Sequence, residues 1–313
     1  MYLGIDTSNY TTSIALFDGE KVVQKKKLLT VKKGERGLRQ SDAVFQHTVN
    51  LPELLNDTDF SGSLDAVGVS TRPRNIDGSY MPCFLVGQTN AHAVSKFTGT
   101  KCFETSHQVG HILAALYSVE RLDLINQNFI AFHLSGGTTE ALLVTPDKNE
   151  IIKAEIIAQS LDLKAGQAVD RTGVLLGLDF PCGAELDRLS QKADKKFDFR
   201  PSFKNLDCSM SGIENKVSKL LADGESPENI AYFVTDCISK TVLEMLKRIT
   251  DKYGDMPIVF SGGVSSNSLL RKTVNEKYNA YFASPEFSCD NAAGVAVYAY
   301  LKDRNDSTHS ITD

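Results

Sequence analysis

A chain of 313 residues, 42% hydrophobic and 23% charged, can bury one large core or two linked ones, and two lobes is the expected partition. Its formal net charge of -5 argues against broad nonspecific nucleic-acid binding, and no apolar run approaches the roughly 20 residues that span a bilayer. The start, Met1-Tyr2-Leu3-Gly4-Ile5-Asp6, enters a strand with no basic leader, so a soluble, cytoplasmic protein with no membrane partner is expected, disordered only at its polar end from Lys302 to Asp313.

In chain order, Ile5 to Phe17 reads as strand, polar turn, strand around Thr7-Ser8-Asn9-Tyr10. Lys25, Lys26, Lys27, Lys32, Lys33, Arg36 and Arg39 then crowd one short stretch opposed only by Glu35, either meeting an RNA backbone or forming a solvated loop. A helix at Ser41–Leu55, a strand at Leu64–Ser70 and helices at Phe84–Phe97 and Val109–Val119 follow, up to a hydrophilic break at Glu120–Asn128 that marks a lobe boundary. Phe129 to Val144 repeats the first hairpin around Ser135-Gly136-Gly137-Thr138-Thr139. Beyond it lie a helix at Gln167–Leu176, ending in the turn Phe180-Pro181-Cys182-Gly183, and a second basic segment, Lys195, Lys196, Arg200 and Lys204, interleaved with Phe197, Phe199 and Phe203. Helices at Ile213–Ala222 and Ile230–Tyr253 come next, the second with one apolar face, from Ile230 and Phe233 through Val242 to Ile249, that reads as core. The strand Ile258–Phe260 enters the turn Ser261-Gly262-Gly263, and Asn291–Leu301 reads as a closing helix that returns to the first lobe. The alternation gives an α/β fold, with lobes at 1–126 (plus 291–301) and 127–290. Six cysteines with no Cys-x-x-Cys pair indicate neither a zinc ribbon nor a disulfide framework, and most are expected in the core.

Turns of Gly, Ser and Thr let backbone N–H groups and hydroxyls approach an anion, so two such hairpins facing each other would form a phosphate clamp; ordinary turn formation is the competing reading. His107 and His111, at i and i+4 in Ser-His-Gln-Val-Gly-His, share one helix face and can reach one ion, or can be plain surface residues. A zincin protease needs Glu directly after the first histidine, where this chain has Gln108, so that chemistry is excluded. The best third ligand is Asp290, whose alternative is to cap the closing helix, and two histidines with one carboxylate suit Fe(2+) or Zn(2+). Asp170 can accept hydrogen bonds from a ribose, with Gly183 allowing close approach, or can pair with Arg171 or a nearby lysine. The turn at Ser261-Gly262-Gly263 can hold an adenosine against its backbone, with Asn267 bonding ribose or phosphate.

Gly4-Ile5-Asp6-Thr7-Ser8, the His107 and His111 pair, Ser135-Gly136-Gly137, Ala165 to Asp170, Phe180 to Gly183, Ser209-Met210-Ser211-Gly212, Gly262 to Asn267 and Cys289-Asp290-Asn291, in this order, resemble the tRNA threonylcarbamoyladenosine transferase family (TsaD, formerly called O-sialoglycoprotein endopeptidase). The resemblance covers nearly the whole chain. It implies a two-lobed actin-like ATPase fold, a duplicated RNase H-like unit of the ASKHA type. His107, His111 and Asp290 would hold the metal, and His133, Leu134, Ser135, Gly136 and Gly137 with Asp170, Gly183 and Asn267 would bind the adenylate. The activity implied is transfer of threonylcarbamoyl from threonylcarbamoyl-AMP to N6 of adenosine 37 in tRNAs reading codons that start with A. Partners implied are tRNA, threonylcarbamoyl-AMP or ATP/ADP, a paralogous subunit and a small ATPase.

The chain departs from the family's pattern at an acidic pair, here Tyr10 and Thr11, and at a Gly-Pro-Gly loop, here Thr71-Arg72-Pro73-Arg74-Asn75. Gln167 replaces Glu, Glu214 replaces Lys, and Ser106 stands where His or Asn is common. These departures mark a divergent member. They leave open two other roles, a nucleotide- and metal-binding regulatory paralogue and a carbamoyltransferase acting on a small acceptor.

Overall fold

The first polar turn lies between β1 (Tyr2–Asp6) and β2 (Thr11–Phe17), which pair antiparallel from Tyr2 opposite Phe17 to Asp6 opposite Ser13. Both strands are buried along their whole length, as central strands covered on two faces must be. The computed structural model describes residues 1–8, 10–31, 38–60 and 62–309; Asn9 and, in the first basic stretch, Lys32, Lys33, Glu35 and Arg36 lie outside the described residues.

β3 (Val22–Leu28) pairs antiparallel with β2 and forms one edge of the sheet, where its lysines blunt an otherwise exposed ladder. Lys25 there pairs with Asp57 and Lys27 with Glu53, so much of the described basic stretch is neutralised locally. After α1 (Gln40–Asn56), β4 (Ala66–Arg72) runs parallel to β1; after α2 (Phe84–Thr98), β5 (Lys101–Ser106) runs parallel to β4 and leads into α3 (His107–Ser118). The sheet order is β3-β2-β1-β4-β5.

The second sheet repeats this plan. β6 (Phe129–Leu134) pairs antiparallel with β7 (Thr139–Asp147), next to which lies β8 (Ile151–Gln159). Then come α4 (Ala165–Leu175), α5 (Gly183–Ser190), the small ribbon β9 (Ser202–Lys204) and β10 (Asp207–Ser209), α6 (Ser211–Ala222) and α7 (Pro227–Tyr253). β11 (Ile258–Ser261) lies parallel to β6 and, after α8 (Ser268–Asn275), β12 (Ala280–Phe282) lies parallel to β11, giving the order β12-β11-β6-β7-β8. A hairpin followed by parallel strands thus occurs twice, as a duplicated unit requires. α7 starts at the Ser226 cap with Pro227 in its first turn and buries Ile230, Phe233, Val234, Cys237, Ile238, Val242, Met245, Leu246 and Ile249, the face expected from spacing.

After the short α9 (Pro285–Ser288), α10 (Ala293–His309) closes the chain. It lies so near β1 and β4 that a Cβ at Gly4 would sit 2.5 Å from the Ala296 nitrogen, and one at Gly68 would sit 2.4 Å from the Val295 carbonyl oxygen. The chain accordingly divides into a first unit, Met1–Ile125, Pro146–Lys153 and Phe287–Asp313, and a second, Asn126–Thr145 and Ala154–Glu286.

One expectation changes. The polar end is helical to His309, Lys302 donating to the Asn149 carbonyl at 2.8 Å, so disorder does not begin at Lys302. In the second basic segment the phenylalanines are half-buried against the core: Phe197 and Phe199 meet Phe233 edge-on and Arg248 covers Phe203. Cys83, Cys182, Cys208 and Cys237 are buried, and all six cysteines are free thiols.

Candidate metal centre and nucleotide-binding turns

β5 ends directly in α3, and Ser106, at the junction, caps the helix by accepting from the Val109 N–H at 3.2 Å. The serine that departs from the family pattern is therefore the cap that aims His107 and His111. Both side chains are largely buried rather than surface groups, 16% and 11% exposed. α10 brings the third residue. A Cβ on Gly294 would sit 1.8 Å from the Gly110 carbonyl oxygen, so α3 and α10 cross where neither has a side chain, with Asp290 held just ahead of the crossing. Asn291, not Asp290, satisfies the helix start, accepting from the Ala293 N–H at 3.0 Å.

Asp290 is thereby available to the histidines. Its Oδ1 lies 3.2 Å from His111 Nε2 and 3.5 Å from His107 Nε2, while the two Nε2 atoms are 2.9 Å apart. One ligand atom from each of the three residues falls within 4.8 Å of the others, a set that can hold a metal ion. On the far side of His107, Nδ1 lies 2.7 Å from Asp6 Oδ2 and 2.9 Å from Ser8 Oγ.

Burial alone would lower the His107 pKa, but Asp6 and Asp290 outweigh it and push it up to about 10. Burial likewise opposes the charge on Asp290, yet His107 and His111 hold its carboxyl well below the usual carboxylate range. A protonated imidazole between two carboxylates is thus the metal-free state. Its cationic charge marks where a divalent ion fits, and two imidazole nitrogens with one carboxylate oxygen are a donor set that Zn(2+) and Fe(2+) accept with positions to spare.

In the second unit, Ser135 closes the β6–β7 turn, its N–H donating to the Thr138 carbonyl at 2.7 Å and its Oγ accepting from the Thr138 N–H at 3.1 Å. Gly136 and Gly137 border open space, with no atom within 4 Å of where a Cβ would stand, whereas a Cβ on Gly166 would sit 2.5 Å from the Gly136 nitrogen, so α4 begins against this turn. Gly262, at φ 89°, lies against the Leu134 backbone, where a Cβ would approach the carbonyl oxygen to 2.3 Å. His133 Nδ1 is 3.0 Å from Ser261 Oγ, which donates to the Phe132 carbonyl. The structure thus brings His133, Leu134, Ser135, Gly136 and Gly137 to the Gly262 turn. Asp170 accepts from the Cys182 N–H at 3.0 Å, which sets Gly183 at the start of α5 beside it; Arg171 pairs with Glu214 instead. Asn267 is largely committed: its oxygen caps α8 at Leu270 and its nitrogen donates to Asp187 at 2.8 Å.

Over residues 28–297 the chain matches the family of tRNA N6-adenosine threonylcarbamoyltransferases, TsaD. It is 31% identical, across 318 aligned positions, to the tRNA N6-adenosine threonylcarbamoyltransferase of Thermosipho africanus strain TCF52B, with 95% of this chain and 93% of that one covered. The chain belongs to the TsaD family. Its fold is that of the actin-like ATPases, as three solved structures illustrate. Component A of the Acidaminococcus fermentans (R)-2-hydroxyglutaryl-CoA dehydratase matches with a TM-score of 0.58 at 15% identity, covering 97% of this chain and 98% of that one. HypF of T. kodakarensis matches at 0.62 and 12%, covering 98% and 47%, and the ROK hexokinase of Thermus thermophilus at 0.54 and 14%, covering 97% and 99%.

Several departures from the TsaD pattern have local explanations. Gln167 accepts from the Lys164 N–H at 3.1 Å and caps α4, a task glutamine performs as glutamate would. Thr11 opens β2 opposite Leu28, and the Tyr10 carbonyl accepts from the Leu29 N–H at 2.8 Å. In the loop after β4, the Pro73 carbonyl accepts from the Gln108 N–H at 3.1 Å, beside His107. Asp6 and Ser8 belong to the Gly4-to-Ser8 motif that carries the resemblance, but the sequence gives them no role at the metal, and their place behind His107 emerges with the fold; the available signal was a carboxylate ending an apolar strand.

Proposed function

We propose that this TsaD family member transfers the threonylcarbamoyl group of threonylcarbamoyl-AMP to N6 of adenosine 37 in tRNAs that read codons starting with A. The observation that carries the reading is the convergence of His107, His111 and Asp290 in a chain of this family. In the reaction the adenosine N6 attacks the carbamoyl carbon, the bond from that carbon to the phosphate oxygen breaks, AMP leaves, and N6 gives up a proton.

His107, His111 and Asp290 would hold one divalent ion, Fe(2+) or Zn(2+), which when bound stabilises negative charge on the reacting anhydride. The chain's own part is to bind and orient the nucleotide. The N–H groups of Gly136 and Gly137 and the Ser135 turn suit an anionic phosphate. Asp170, with Oδ1 engaged by Cys182, offers its second oxygen to ribose hydroxyls, and Gly183 leaves room for the sugar. His133 and Leu134 carry the turn at the end of β6, and Asn267 keeps one amide hydrogen beyond its bond to Asp187. The same turns would accept ATP or ADP. No side-chain nucleophile is needed. A tRNA acceptor puts the work in the cytoplasm, with a paralogous subunit and a small ATPase as partners.

The test is transfer of labelled threonylcarbamoyl from its adenylate to unmodified tRNA by the purified chain, alone and with such partners, beside His107→Ala. Label on tRNA that is lost with His107→Ala is expected. Label transferred equally by both proteins, or tight adenylate binding with no transfer under any combination, overturns the reading.

A further inference from the structure

We infer that Asp6 is a positioning residue for the metal: it fixes the tautomer and the plane of His107. The inference rests on the metal reading of His107, His111 and Asp290 and adds a residue from outside that cluster.

Asp6 is the last residue of β1 and only 1% exposed, so its carboxylate is held in place by the sheet, and a buried charge there needs partners. It has two. Oδ1 accepts from the Ser8 N–H at 2.7 Å, and Oδ2 lies 2.7 Å from His107 Nδ1. With Oδ1 taken up by the Ser8 N–H and Oδ2 at hydrogen-bond distance from a ring nitrogen, the carboxylate meets both neighbours as an acceptor. Nδ1 must then carry a hydrogen. It follows that Ser8 Oγ, 2.9 Å from Nδ1, also accepts, and that in the neutral imidazole the lone pair lies on Nε2, the nitrogen that faces His111 and Asp290.

Two donors, the Ser8 N–H and the His107 Nδ1–H, thus meet two acceptors. Asparagine has the same shape and cannot meet both. With its oxygen toward His107, its NH2 opposes the Ser8 N–H; with its oxygen toward Ser8, its NH2 opposes Nδ1 and moves the imidazole hydrogen to Nε2, where it blocks ligation. A carboxylate behind a ligating histidine also makes the imidazole a stronger donor, and loss of such a partner typically weakens metal binding about 10- to 100-fold.

The experiment measures Co(2+) affinity by chelator competition and the visible Co(2+) absorption of the full chain, for wild type, Asp6→Asn and Ser8→Ala, with metal-free melting as a check on folding. Expected for Asp6→Asn is affinity about 10- to 100-fold weaker with a changed absorption band. Equal affinity and an unchanged band in a folded Asp6→Asn protein overturn the inference. Should Asp6→Asn fail to fold, Ser8→Ala decides: Asp6 alone suffices to hold Nδ1, so wild-type affinity and band are expected, and collapse of both would assign the positioning to the serine. Wild-type protein that takes up no Co(2+) is a different result, which overturns the metal reading beneath the proposal.

Discussion

Removing the His111 imidazole leaves Asp290 with His107 alone, at 3.5 Å, and takes one of two nitrogen donors from the ion. His111→Ala is expected to lower metal affinity by more than the ~100-fold that an outer partner costs, and elemental analysis after desalting should find the variant empty where wild type is loaded. Unchanged metal content would move the site elsewhere. Charge at the Arg171–Glu214 pair works on a smaller scale. The side chains are 53% and 39% exposed, so solvent screens them and the pair contributes under about 1 kcal/mol. Glu214→Lys, which restores the family's usual residue, should therefore leave the melting temperature within about 3 °C of wild type. A larger drop, read by calorimetry, would mean that the pair ties α4 to α6 more strongly than exposed charges do.

Helix crossings and turns set the next scale. Where α3 meets α10, a methyl group on Gly294 meets backbone atoms that have no rotamer to change, so Gly294→Ala forces the helices apart. It should destabilise the chain by about 2 kcal/mol or more in urea melts and weaken metal binding with it, since Asp290 rides on that approach. Gly136→Ala makes the opposite case. Nothing lies near the added methyl, so stability should hold within about 0.5 kcal/mol while affinity for threonylcarbamoyl-AMP, measured by calorimetry, falls. Unaltered affinity would take the Ser135 turn out of the nucleotide site. Elements of this kind were legible to different degrees. The buried strands of both hairpins and the apolar face of α7 announce themselves by composition. β3, written Val-Val-Gln-Lys-Lys-Lys-Leu, hides as a charge run because an edge strand needs lysines, and β5 and β12 are short strands whose ladders form only with distant partners. His107 and His111 declare themselves by spacing on one helix. Their link to Asp6 crosses 101 residues and depends on how β1 ends beside α3, which no local pattern records.

For the whole chain, the distribution of residues between units makes metal removal a local event. His107, His111, Asp290, Asp6 and Ser8 all belong to the first unit, and the residues of the nucleotide turns all belong to the second. Without metal, His107 is protonated between Asp6 and Asp290, so the cluster remains an ion-pair network rather than a set of repelling carboxylates. Chelation should therefore leave both units folded. The metal adds only its binding linkage to the first, about 2.7 kcal/mol when free ion exceeds its dissociation constant 100-fold. Hydrogen exchange followed by mass spectrometry should register faster exchange on chelation in the β1–β2 turn, the first turn of α3 and the segment Asp290–Ala293, with β6, β7 and α7 unchanged. Faster exchange throughout both units would mean that the ion holds the fold itself and that the proton on His107 is no substitute for it.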